Sequence, residues 1–299
     1  MSWIALGLAA GLLLGTYDFF TKFALREKGV LEVVFLSSII GSFLWLPLFF
    51  LPDGVAPILD PIGLYPKSFS WQQHLVVLPK SVLMVVTWIL SYYSVKALPL
   101  SISAGVRASG PIWTAFGAIL LLNEVLSFGQ WAGIFIATCA YYFFSLIGKK
   151  EGISFQKDVW VLCMLAATIM SSANALYDKF IIASLGLDLA SVQAYSAIQR
   201  AVIACGIFPW VFRDLEIRSL LSRNWAIPAI AITYVVAEFV YLWSVNIDGA
   251  QISVISILRR TNLTMVFGLS AIFLRENYIG RKIVAILGVL LGIALVIIR

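Results

Sequence analysis

The chain has 299 residues, 61% of them hydrophobic and only 12% charged, with a mean hydropathy of +0.97. This composition excludes an ordinary soluble domain and points to an all-α integral membrane protein, multi-pass in a cell membrane, the inner one if the source is bacterial. The formal charge of +6 is scattered over short connections and forms no basic run, so nucleic acid is excluded as a partner and the lipid bilayer and a small molecule remain.

Apolar windows long enough to cross a ~30 Å hydrocarbon core as helices recur along the chain. They predict ten spans, at 3-25, 31-51, 77-97, 101-122, 127-147, 159-182, 190-211, 225-246, 251-274 and 281-298. Span one lacks a basic leader and a cleavage site and is expected to stay in the mature protein. Within it, "GTYDFFTKFAL" at 15-25 sets Asp18 and Lys22 four residues apart, on one helical face where they can neutralise each other. Gly7, Gly11 and Gly15 form two GxxxG steps, repeated at Gly129-Gly133 and Gly288-Gly292; such ridges pack helices closely, within one chain or across a homodimer.

The connection 52-76 carries four prolines and two glycines, a density that forbids a continuous helix and predicts a surface loop or interfacial segment holding Tyr65, Trp71 and a solvated His74. Cys139, Cys163 and Cys205 all fall inside spans without CxxC spacing, and are expected to be packing residues. No metal or cofactor site is expected.

The later spans carry polar residues at helical spacing. Span four aligns Ser103, Arg107, Gly110 and Thr114, with Pro111 freeing a backbone carbonyl beside them. Span six pairs Asn174 with Asp178 and sets Lys179 next to them, and span seven aligns Gln193, Ser196 and Arg200. Span eight places Glu238 between Tyr234 and Tyr241, and span nine aligns Ser253, Ser256, Arg260 and Thr264, with Arg259 and Asn262 adjacent. Glu124 and Glu276 end spans four and nine, where a charge at the membrane surface is the plainer reading.

The chain also repeats itself in order. Tyr17-Asp18 faces Tyr177-Asp178, "YYSVKALPLSIS" at 92-103 faces "LWSVNIDGAQIS" at 242-253, and Arg107 and Glu124 face Arg259 and Glu276. Two five-span units result, 1-148 and 149-299, and an odd number of spans inverts the second relative to the first. Inverted repeats are characteristic of secondary transporters with a midplane site. On this count the basic connections (Arg26, Lys28, Lys149, Lys150, Lys157, Arg213, Arg218, Arg223, Arg275, Arg281 and Lys282) share one side, against Lys67, Lys80 and Arg299 on the other, which places both termini outside the cytoplasm.

A charge at mid-bilayer costs about 2.5–3.5 kcal/mol on insertion scales, so each needs a partner, a wet cavity or a purpose. Buried pairs are expected between Asp18 and Lys22, between Asp178 and Lys179 or Arg200, and between Glu238 and an arginine. The excess of cations predicts a polar cavity in which Arg107, Arg200, Arg259 and Arg260, with Tyr92, Trp113 and Asn262, bind an anionic or zwitterionic substrate through planar, permanently charged guanidinium groups. Glu238, Asp18, Lys22, Asp178, Tyr17 and Tyr177 are the candidates for coupling or gating. A competing reading makes Glu238 and a cage of Tyr92, Tyr93, Trp113, Tyr234, Tyr241 and Trp243 the site of an exported amine or other cation. A third makes the chain a non-transporting membrane subunit. An enzyme is not expected, because no nucleophile, base and orienting group recur at usable spacing.

The chain resembles the drug/metabolite transporter superfamily, EamA type. The resemblance is carried by "NEVLSFGQWAGIFIATCAYYFF" at 123-144, "RENYIGRKIVAILGVLLGIALVII" at 275-298 and "LLLGTYDFFTKFAL" at 12-25, and extends over essentially the whole sequence. It implies ten helices in two inverted repeats, a central substrate cavity, alternating access, and both termini in the cytoplasm, the side opposite to that given by the connection charges. "LRRTN" at 258-262 is similar to paired basic residues in the ninth helix of organophosphate exchangers of the superfamily, which implies an anion at Arg259 and Arg260.

Overall fold

A computed structural model of the chain describes residues 2–107, 109–150, 157–212, 224–269 and 279–297. Glu276 and the connection arginines Arg213, Arg218, Arg223 and Arg275 lie outside the described residues, as does Arg299. The described residues are mostly helical, and no strand occurs among them. Its principal helices are α1 (Trp3–Glu27), α2 (Val30–Trp45), α3 (Trp71–Ala97), α4 (Leu100–Arg107), α5 (Gly110–Leu122), α6 (Phe128–Lys150), α7 (Val159–Lys179), α8 (Leu189–Phe212), α9 (Ala226–Asn246), α10 (Ile252–Leu258), α11 (Asn262–Leu269) and α12 (Ile279–Ile297). Among the described residues, six helical stretches are long and apolar enough to cross a membrane: Trp3–Glu27, Val30–Phe50, Trp71–Ala97, Ile102–Leu122, Val159–Ser184 and Ala226–Asn246.

Local chemistry sets the helix ends. Ser70 begins α3 through a capping box: its hydroxyl accepts from Gln73 N–H at 3.4 Å while Gln73 Oε1 accepts from Ser70 N–H at 2.8 Å. Helix α3 therefore starts six residues earlier than the apolar window suggests and contains Trp71 and His74. His74 is not a solvated loop residue; its ring lies edge-on to Tyr195 at 4.6 Å. Asp158 caps α7 by accepting from Trp160 N–H and Val161 N–H. Asn123, in the left-handed region at φ 52°, ends α5.

The connection before α3 is a series of short turns, Asp53–Val55, Ala56–Leu59 and Asp60–Ile62, followed by an extended stretch. It is fastened to the bundle where Lys67 N–H donates to Ser191 Oγ at 2.7 Å and Phe69 stacks on Tyr195 at 4.7 Å. The Lys67 ammonium is 3.0 Å from the Asp60 carboxylate, whose hydrogen bond holds its pKa above the ordinary value.

Four long-helix pairings organise the bundle: α1 packs on α9, α3 on α7, α2 on α8, and α6 on α12. Each joins a helix from the first 150 residues to one from the rest. Spans four and nine are not continuous helices as the sequence suggests. The first divides between α4 and α5, and the second between α10 and α11 through a tight turn at Arg259–Thr261.

The glycine ridge of α1 explains how close that turn comes. A Cβ added to Gly11 would lie 2.8 Å from Arg259 O, and one added to Gly15 would lie 2.7 Å from Asn262 O. The ridge is thus filled by the same chain, and Gly288 of α12 likewise faces Ala140 of α6. Gly15→Val is expected to destabilise the protein by about 1–3 kcal/mol or more through overpacking against backbone that cannot step aside, read as a lowered melting temperature in detergent; an unchanged melt would show that α11 is free to move away.

Candidate functional site

The helix breaks and the polar faces of α3, α7 and α9 line a cavity of about 80 Å³, room for several waters or a small polar group. Arg107, Arg259, Arg260, Asn174, Glu238 and Asn262 are among its lining residues, with Tyr17, Trp88, Tyr234 and Tyr241 as aromatic walls. A smaller cavity at the two breaks shares Arg107, Thr168, Ser171, Arg259 and Arg260 with it and adds the hydroxyls of Thr114, Ser172 and Ser256.

Pro111 is the sequence feature that builds one of these breaks. It has no N–H to donate to the carbonyl of Arg107 four residues back, and that carbonyl instead accepts from Arg260 Nη1 at 2.8 Å. Gly110 leaves room for the approach, since a Cβ there would meet Arg260 Nη2 at 3.3 Å. The two broken spans thereby hold each other through one guanidinium.

The buried ion pairs differ from the sequence expectation. Asp18 pairs with Arg107 of α4, not with Lys22, and its other oxygen accepts from Asn262 Nδ2 at 3.1 Å. Lys22 sits in the last two turns of α1, where its ammonium reaches the carbonyls of Val95 and Leu98 at 2.5 and 2.7 Å, acceptors at the C-terminal end of α3. Asp178 and Glu238 take neither Lys179 nor an arginine. Both bond to Lys80 Nζ, at 2.6 and 2.8 Å, and Asn174 Nδ2 donates to the second Asp178 oxygen at 3.1 Å.

Lys80 is fully buried at 0% exposure, although the connection charges included it. Its position ten residues into α3 turns it toward α7 and α9, and neutralising two carboxylates at once makes that depth tolerable. Sequence reasoning missed it as a site residue. The signal was available: a lysine in an apolar window that also holds no acid of its own.

Lys179 repeats in the second half what Lys22 does in the first. Its ammonium reaches Val245 O at 3.4 Å and Ala250 O at 2.8 Å, at the end of α9. The self-alignment at Tyr17-Asp18 and Tyr177-Asp178 therefore does not match equivalent environments. Tyr17 OH shares a 2.8 Å hydrogen bond with Tyr92 OH, whereas Tyr177 OH donates to Val76 O at 2.7 Å. Glu124 is more than a surface charge: its carboxylate accepts from Ile252 N–H at 2.7 Å and from Ser253 N–H at 3.2 Å, capping α10 of the other half.

The aromatic groups do not assemble as one cage. Arg200 lies over the rings of Trp88 and Tyr234, 5.5 and 5.4 Å from their centroids, and Arg259 lies 4.1 Å over Tyr241. These faces are taken by the protein's own cations. Trp113 is 41% exposed and outside the cavity wall, and Tyr93 stacks on Trp160. Among the described residues neither Arg200 nor Arg259 has a carboxylate within 4.0 Å, and the buried Nε of Arg259 has no hydrogen-bond partner. No group of three or more metal-binding side chains occurs among the described residues.

Residues 1–146 match the EamA-like transporter family. That match covers just under half of the chain. With six helical stretches among the described residues long and apolar enough to cross a membrane, the chain is a multi-pass membrane protein similar over residues 1–146 to a transporter family. No curated protein matches this EamA-like chain. One solved crystal structure of a protein is similar in fold, with a TM-score of 0.71 at 15% identity, covering 99% of this chain and 96% of its own.

Proposed function

We propose that this EamA-like protein is a secondary transporter of a small anionic or zwitterionic metabolite, working by alternating access between two inverted five-helix units, 1-148 and 149-299, in the cell membrane. The packing supports the two-unit reading, because α1 on α9 and α3 on α7 exchange under it, while α2 on α8 and α6 on α12 each map onto themselves. The lysines at the ends of α1 and α7, each bonded to the carbonyls that close the second helix further on, support it too.

The observation that carries the substrate charge is Arg259. Its guanidinium lines the cavity, lies outside ion-pair range of any described carboxylate, and has a buried donor without a partner. Desolvating a permanent cation without an acceptor is unfavourable, and a bound anion supplies the acceptor. Among the described residues around the cavity, Lys80 serves Asp178 and Glu238 and Arg107 serves Asp18, while neither Arg200 nor Arg259 has a carboxylate within ion-pair range, which leaves positive charge in excess. The cation-export reading loses support where Glu238 is held by Lys80 and the aromatic faces by arginines.

The test is uptake or counterflow in proteoliposomes across a panel of organic acids, amino acids and sugar phosphates. Wild type is expected to move at least one anionic or zwitterionic member. Arg259→Ala is expected to lower that flux at least 100-fold at unchanged folded yield, since removing it strands no carboxylate. Full flux in Arg259→Ala, or flux confined to amines without an acidic group, would count against the proposal.

A further inference from the structure

We propose that the substrate is an anion that also carries its own N–H or O–H donors, and that Asn174 and Asn262 recognise them. The inference rests on the anion reading above and adds a specificity pair to it. Both asparagines line the cavity, and both are buried, at 5% and 4% exposure. Each has its amide nitrogen fixed by a carboxylate behind the wall, Asn174 Nδ2 on Asp178 and Asn262 Nδ2 on Asp18, both at 3.1 Å.

Those contacts determine which end of each amide is left over. A carboxylate with its charge held by Lys80 or Arg107 accepts hydrogen bonds and donates none, so turning either amide round would set oxygen against oxygen. The nitrogen stays on the carboxylate, and Oδ1 of each asparagine is buried with no hydrogen-bond partner. A buried carbonyl left unpaired is unfavourable, and here two occur, among the described residues, in the wall of one cavity.

Neither can be served by a bare anion, since a carboxylate without further polar groups offers only acceptors to acceptors. The same wall holds the opposite need at Arg259 Nε, a donor without an acceptor. A ligand that satisfies all three has an acidic group and, within the same small molecule, hydroxyl or ammonium donors. Sites built to bond a substrate's OH or NH reject the analogue lacking it, because their own polar groups are then stranded.

The experiment uses the full chain in lipid nanodiscs and two matched series of acids, measured by calorimetric titration. One is propionate, D-glycerate and L-alanine; the other is succinate, L-malate and L-aspartate. In at least one series the hydroxy or amino acid is expected to bind at least tenfold more tightly than the plain acid, and the stronger of the two identifies the donor. Asn174→Ser and Asn262→Ser each remove the amide carbonyl and leave a small neutral polar side chain, and either suffices if the other fails to fold. Each is expected to reduce the tenfold preference to threefold or less, a change in the ratio of affinities and not in one affinity alone.

The inference is overturned if plain acids bind as tightly as their hydroxy and amino counterparts, or if the serine variants weaken every acid alike, as a merely structural role would. Failure of every acid to bind, with Arg259→Ala also without effect on flux, would overturn the anion reading and this inference with it. Binding of plain and substituted acids alike, abolished by Arg259→Ala, would overturn the asparagine assignment alone.

Discussion

Lys80→Met is expected to remove most folded, monodisperse protein from detergent extracts. The substitution is nearly volume-neutral and apolar, so the cavity term is small, and the loss comes from charge. Asp178 and Glu238, both buried and now 2.6 and 2.8 Å from the Lys80 ammonium, would be left facing an apolar methionine. Removing one partner of a buried ion pair typically costs about 3–5 kcal/mol, and here one lysine serves two carboxylates. A domain has only about 5–15 kcal/mol in hand. The check is fluorescence-detected gel filtration with a thermal melt of the peak. Adding Asp178→Asn and Glu238→Gln to Lys80→Met is expected to restore much of the folded peak, because an all-neutral cluster strands no charge. Lys80→Met alone melting like wild type would mean that the two acids find other cations, Arg259 being the nearest candidate by its place in the same wall.

The lysine illustrates what the sequence makes legible and what it hides. Hydropathy windows locate most of the long helices to within a few residues, and Pro111 marks the broken backbone beside Arg107, because each acts on its own neighbourhood; the capping box of Ser70 with Gln73 is just as local, yet it starts α3 six residues before the apolar window. The expectation that Arg107, Arg200, Arg259, Arg260, Tyr92, Trp113 and Asn262 share a polar cavity follows from helical spacing; Arg107, Arg259, Arg260 and Asn262 line one cavity together with Glu238, and Arg200, Tyr92 and Trp113 lie outside its lining. Partner choice is another matter. Asp18 and Lys22 stand four apart, ideal for a local pair, yet the carboxylate goes to Arg107, 89 residues away in sequence, and the ammonium to carbonyls more than 70 residues away. Free C-terminal carbonyls have no sequence signature of their own, so a lysine placed to serve them looks like half of an ion pair. Glu124 shows the same limitation: nothing at 124 announces that α10 begins beside it.

Arg107 and Arg259 occupy facing positions in the self-alignment and the same cavity wall, but their removal is expected to fail in different ways. Arg107 is the ion-pair partner of Asp18, which is 2% exposed. Arg107→Ala therefore strands a buried carboxylate, with Asn262 its one remaining donor of those above, and is expected to cost about 3–5 kcal/mol and most of the folded yield. An inactive Arg107→Ala variant would say nothing about substrate. The informative variant is Asp18→Asn with Arg107→Met, which removes both charges together and keeps similar volume. It is expected to recover folded protein, shown by gel filtration and a melt within a few degrees of wild type, while transport in proteoliposomes stays at least tenfold down because the cavity has lost a guanidinium. Recovery of transport along with folding would assign Arg107 to architecture alone and leave Arg259, with Arg260, to meet the anion. If folding does not recover, the pair is held by more than its charge, and the carbonyl of Arg107 that accepts from Arg260 at 2.8 Å is the contact through which such a coupling would run.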